Sequence, residues 1–286
     1  MTCSERAVAF DCEGSSLIGI LSGATLAAQR GVLIVVGGPQ YRVGSHRQFT
    51  LLARHLAEHG VPALRFDYRG MGDSGGEVRT FERAGADIRC AIDRFFASVS
   101  ALKGVVIWGL CDAASAALFY AHQDPRVSGL VLVNPWVRTE QGVARARLRH
   151  YYVRRLFQAS LWQKVARGEF DVLGAVASLG KFAVDAIGRR PSSGTVEESP
   201  AGRSPLPDRM EDGLRRFQGK VLLILSGNDL TAQEFKDVAA SSRRWRRLLE
   251  HGRVTRHDLP EANHTFSRRD WRDQVERWTE AWVKNL

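Results

Sequence analysis

Cysteine is scarce in this sequence: four residues in 286, namely Cys3, Cys12, Cys90 and Cys111. Their spacing matches no zinc pattern and no CxxC redox pair. A chain of this length, with 44% apolar residues, can build its own core without a disulfide framework. Long apolar runs are also missing. None approaches the roughly 20 residues that span a bilayer. The opening Met1-Thr2-Cys3-Ser4-Glu5-Arg6 lacks the basic-then-apolar order of a signal peptide. No internal repeat is present. These absences predict a globular cytoplasmic protein with no transmembrane segment, no metal and no cofactor.

Acidic residues are outnumbered, 31 against 41 Lys and Arg, which leaves a formal net charge of +10. The excess is local: residues 138–190 hold eleven Lys/Arg and four Asp/Glu. Such a stripe suits an anionic lipid, an acidic substrate or nucleic acid, and equally a solvated helix face. Charge is the only feature pointing to nucleic acid, so no nucleic-acid partner is expected.

What is present is alternation. Apolar stretches at 7–10 and 17–21 flank Gly14 as an opening hairpin. Residues 31–36 form a short apolar run ending in glycines, the pattern of a strand buried on both faces. Ser45-His46-Arg47-Gln48 has the form of a capping box, and Leu51, Leu52 and Leu56 with a stop at Gly60 complete an amphipathic helix. Strands at 61–66, 104–108 and 130–133 then alternate with helices at 81–96 and 113–121, and Cys90 lies in the first of these as a small core residue. This spacing implies a mostly parallel central sheet flanked by helices. After Trp136 the alternation breaks. Residues 138–167 and 170–187 read as inserted helices and 191–207 as a Pro/Ser/Gly-rich connector. The sheet resumes at 220–225, with helices at 231–242 and 270–286. The expected organisation is a core of 1–136 and 208–286, interrupted by a helical lid and connector over 137–207.

Trp108-Gly109-Leu110-Cys111-Asp112-Ala113 follows a strand and precedes a helix. That is the context of a nucleophile elbow, Gly-x-nucleophile-x-Gly, with Ala113 at the second small position and Cys111 where serine is usual. A helix N-terminus at this point favours a thiolate. Asp229 follows the strand at 220–225, and His264 precedes the last helix. Nucleophile, acid and histidine then occur in the order of an α/β-hydrolase triad. Singly, Asp229 would be a loop cap and His264 a surface residue; together with Cys111 they suggest a base, its orienting carboxylate and a thiol. Asp237, Asp258 and Glu261 are the neighbouring acids. For the oxyanion hole, the Asp112 N–H is one expected donor. Gln40 N–H is the other, because Pro39 has none to give. Gly38 and Tyr41 in the same loop, and Arg145 and Arg149 in the basic insertion, are candidate substrate contacts.

Asp67-Tyr68-Arg69-Gly70-Met71-Gly72-Asp73-Ser74 resembles the D-x-R-G-x-G-x-S loop of α/β-hydrolases, with Arg69 holding nearby loops. Residues 37–49 (GGPQYRVGSHRQF), 109–118 (GLCDAASAAL) and 134–152 (NPWVRTEQGVARARLRHYY) more specifically resemble the exosortase A system-associated hydrolases of the hydrolase 1 type. The resemblance implies an α/β-hydrolase fold and a bacterial cytoplasmic enzyme linked to exopolysaccharide and exosortase systems. A cysteine at the elbow also resembles dienelactone hydrolases.

The expected activity is cleavage of an ester, thioester or lactone through an acyl-cysteine. The substrate would be a small acyl compound, anionic or carrier-linked. Acyl transfer by the same nucleophile differs only in the acceptor, and a non-catalytic hydrolase-fold binding protein is the third reading. Neither motif nor composition sets the oligomeric state.

Overall fold

The computed structural model describes residues 4–23, 28–38, 40–137 and 204–286. Met1–Val137 and Leu206–Leu286 make one unit, and Arg138–Pro205 fall outside it. The expected lid, with Arg145 and Arg149, therefore lies outside the described residues, as does Cys3.

The chain opens with β1 (Glu5–Cys12) and β2 (Ser15–Ser22), paired antiparallel. The two-residue turn between them, Glu13 and Gly14, has φ of 51° and 79°. Positive φ at both positions matches the twist of a hairpin. Then come β3 (Arg30–Val35), α1 (Gln48–Glu58), β4 (Ala63–Asp67), α2 (Gly85–Ser98), β5 (Gly104–Leu110), α3 (Asp112–Tyr120) and β6 (Val127–Val133). After the insertion follow α4 (Leu206–Arg216), β7 (Lys220–Asn228), α5 (Leu230–Ser241), α6 (Arg243–Leu249), β8 (Val254–Asn263) and α7 (Arg269–Lys284). The eight strands lie in the order β1-β2-β4-β3-β5-β6-β7-β8. From β4 to β8 every pairing is parallel, and β2 joins β4 antiparallel. This is a mostly parallel central sheet flanked by helices.

The side-chain period of two sends the buried strands' residues into two layers. Leu33, Ile107, Leu130 and Leu223 join a core with residues of α2, α3, α4 and α5. Val32, Trp108, Val131 and Leu222 face the other way, against α1 and α7. Central strands buried on both faces must be apolar throughout, and all seven residues of β5 are buried. No helix among the described residues is long and apolar enough to cross a membrane.

Local expectations and structure part at four places. The capping box does not form. Ser45–Arg47 is a 3₁₀ turn, and the N-cap of α1 is Arg47 with φ 63° and no side-chain cap bond. With His46 also at φ 54°, the backbone does not enter the helix from Ser45. The other three are elements the apolar pattern does not announce: α4, α6 and β8.

Candidate active site

β5 leads straight into α3, and Cys111 is the single residue between them, at φ 63° and ψ −125°. A non-glycine residue held at positive φ costs about 1–3 kcal/mol and persists only when its surroundings enforce it. Three hydrogen bonds do so. Cys111 N–H donates to Val133 O at 2.9 Å, and Cys111 O accepts from Ala114 N–H at 3.1 Å and Trp136 N–H at 3.2 Å. The turn is so close that a Cβ on Gly109 would lie 2.6 Å from the Ala113 carbonyl carbon. The small residues either side of Cys111 thus follow from its geometry.

Asp229 N-caps α5, its carboxylate accepting from Thr231 N–H and Ala232 N–H, each at 3.1 Å. The same carboxylate lies 2.8 Å from His264 Nδ1. A carboxylate only accepts, so Nδ1 is the donor in this bond. Asp229 is both the ordinary helix cap and the partner of His264. The neighbouring acids are engaged elsewhere: Asp258 with Arg256 at 2.7 Å and Lys236 at 3.4 Å, Asp237 with Gln233 at 3.0 Å. His264 follows β8, so all three residues stand at the carboxyl edge of the parallel strands, where ligands bind in such sheets.

Asn134, the residue directly after β6, links these parts. It is fully buried at φ 44°. Its N–H donates to Ile224 O, its side-chain amide donates to His264 O at 3.2 Å, and its Oδ1 accepts from Ser226 N–H at 2.9 Å. One side chain ties the ends of β6 and β7 to the histidine loop. Its signal in the sequence is an Asn before Pro at a strand end, since Asn tolerates positive φ.

Of the two backbone donors expected for an oxyanion, Gln40 N–H is engaged within its own loop, where it donates to Gly38 O at 2.8 Å. Gly38 N–H donates at 2.8 Å to Asp112 Oδ2. The Asp112 carboxyl is buried, and its Oδ1 has no hydrogen-bond partner. A Cβ on Gly37 would fall 2.1 Å from that oxygen. Burial pushes the Asp112 carboxyl up, against the opposing pull of the Gly38, Ala113 and Asp112 N–H groups and of nearby His264. An acidic side chain therefore sits over the N–H groups of Gly38, Asp112 and Ala113.

Tyr41 is exposed and donates to Asp73 at 2.6 Å. Arg42, beside it, is buried and bridges Asp67 and Asp73. Arg69 is buried against Asp87 and Glu13, fixing the hairpin turn to α2 as its loop-holding role requires.

Residues 32–278 match the family model described as the alpha/beta hydrolase family. A polyketide transferase, grgF, from a Penicillium species is 28% identical over 137 residues, which is 44% of this chain and 45% of that protein. The match thus spans under half of that relative. Among solved structures, an esterase of Pyrococcus furiosus superposes with a TM-score of 0.65 at 14% identity, covering 99% of this chain and 92% of its own. The Est1E protein of Butyrivibrio proteoclasticus, solved with ferulic acid bound, gives 0.62 at 15% identity and 98% coverage of both chains.

Proposed function

The chain belongs to the alpha/beta hydrolase family, and from that premise we propose that it cleaves an ester, thioester or lactone of a small acyl compound through an acyl-cysteine on Cys111. Two local geometries at the carboxyl edge of the same sheet carry this reading. One is a cysteine held at φ 63° at a helix N-terminus; the other is a histidine whose Nδ1 is 2.8 Å from a buried carboxylate. His264 Nε2 takes the thiol proton, and the thiolate attacks the acyl carbonyl carbon. The tetrahedral intermediate expels the alcohol or thiol leaving group, which receives the proton from His264. Water, deprotonated by the same nitrogen, then attacks the acyl-cysteine and restores the thiol. Asp229 holds the histidine tautomer and stabilises the imidazolium. The N–H groups of Gly38 and Asp112 take the oxyanion role, which requires the Asp112 side chain to turn aside or to be neutral.

The test is intact-mass analysis of the protein mixed with activated esters and acyl thioesters. One acyl adduct, mapped to Cys111 and absent from Cys111→Ala, is expected. Cys111→Ala turning substrate over at the wild-type rate sinks the reading. A second reading, acyl transfer, is favoured by the likeness to a polyketide transferase. The resemblance to exosortase-associated hydrolases suggests a polysaccharide-linked acceptor. Product analysis with and without a sugar acceptor separates the two readings: transfer yields an acylated sugar at the expense of free acid.

A further inference from the structure

The carboxyl ends of α1 and α7 come together at the amino edge of the sheet, away from Cys111. Arg30, which begins β3, donates to Val283 O of α7 at 3.4 Å, and Gly129, third in β6, lies against Trp282. At this end His55 in α1, His59 just past it and Glu280 of α7 converge. One donor atom from each lies within 4.8 Å of the others. Spacing of i and i+4 puts both histidines on one side of the helix, and their rings are 4.4 Å apart.

The His59 ring is already oriented by its second nitrogen. His59 Nδ1 lies 2.7 Å from His55 O, so it carries the proton and Nε2 is left with its lone pair. His55 has Nδ1 4.0 Å from Glu276 and Nε2 3.6 Å from Glu280, and that Nε2 is buried without a hydrogen-bond partner. A histidine whose other nitrogen faces a carboxylate or a backbone carbonyl is the usual supporting arrangement of a metal ligand.

We infer that His55, His59 and Glu280 bind one divalent transition-metal ion of the zinc, nickel or cobalt class, which clamps α7 to α1. Two imidazoles and one carboxylate suit these ions, with water completing the shell. Bonds of about 2.0–2.1 Å set tetrahedral donors about 3.4 Å apart, so the side chains must draw in from their present 4.8 Å limit. His59 is exposed and can move. Glu280 must give up Lys284, now 2.6 Å from its Oε1, and Lys284 is itself half exposed.

The test uses the full, tag-free chain stripped with chelator and titrated with Zn²⁺ and Co²⁺ by calorimetry and cobalt absorption. Because a thiol and a histidine at the candidate active site could also hold zinc, the titration is repeated on Cys111→Ala. One equivalent is expected in both wild type and Cys111→Ala, with a rise in Tm. His59→Ala should weaken binding by roughly tenfold or more. Lys284→Gln should tighten it. Binding that persists unchanged in His59→Ala but disappears in Cys111→Ala places the ion at the active site and overturns the inference, as does no binding at all.

Discussion

Asp112 shows how one side chain can oppose the site it helps to build. It opens α3 next to Cys111, where a negative charge suits the helix dipole but works against a thiolate and an oxyanion. Its carboxyl is raised above the ordinary 3.8 by burial. The folded chain therefore binds this proton more tightly than the unfolded chain does. Stability is retained below about pH 3.8 and falls as pH rises from there through the raised value. Asp112→Asn keeps the shape and removes the charge. The variant is expected to melt higher than wild type at pH 7, with the difference vanishing towards pH 4. It is also expected to raise kcat/KM by roughly tenfold at neutral pH, because the negative charge beside the proposed thiolate is gone. A lower kcat/KM in this variant would mean that the carboxyl takes part in the reaction. The other described cysteines behave differently. Cys12 is buried, donates to Asp87, and has its thiol pushed up by burial first, so it lacks what a nucleophile needs.

At the level of elements, the sequence makes strands legible where physics demands apolar runs. β3, β5, β6 and β7 are covered on both faces, so each reads as an unbroken hydrophobic string. β8 occupies the sheet edge, where neither apolar continuity nor freedom from proline is required. Its sequence, VTRHDLPEAN with Pro260 inside, accordingly carries no strand signal. α4 has Pro207 in its first turn, which a helix accepts there and which reads from sequence as connector. The order of Cys111, Asp229 and His264 is legible because each follows the end of a strand. The use of the Gln40 N–H is not, because it depends on the fold of its own turn. Asp229 carries two loads that substitution can separate. Asparagine caps a helix about as well as aspartate, whereas alanine loses about 1 kcal/mol. Asp229→Asn should therefore keep Tm near wild type and still lower kcat by about two orders of magnitude or more, through a misoriented His264. Asp258→Asn should leave kcat unchanged. A normal rate in Asp229→Asn with a dead Asp258→Asn would move the acid to β8.

For the molecule as a whole, the strongest feature of the composition falls on the residues outside the sheet unit. Residues 138–190 carry eleven basic and four acidic groups of a chain whose net charge is +10. The fold's core has no need of that excess. Among the described residues its buried arginines are already matched, Arg42 by Asp67 and Asp73, Arg65 by Glu5, and Arg69 by Asp87 and Glu13. An insertion after β6 with this charge is proposed as a cap that selects an acyl substrate bearing an anionic head, such as a thioester of a phosphorylated carrier. Charge acting at a distance is screened over about 8–10 Å at ordinary salt, so selection of this kind must fade as salt is added. Replacing Arg145, Arg147 and Arg149 by Gln should raise KM for anionic esters and thioesters and leave neutral esters unaffected. The salt dependence for the anionic substrates should flatten at the same time. If all substrates suffer alike, or none does, these arginines are solvated surface and do not select the substrate.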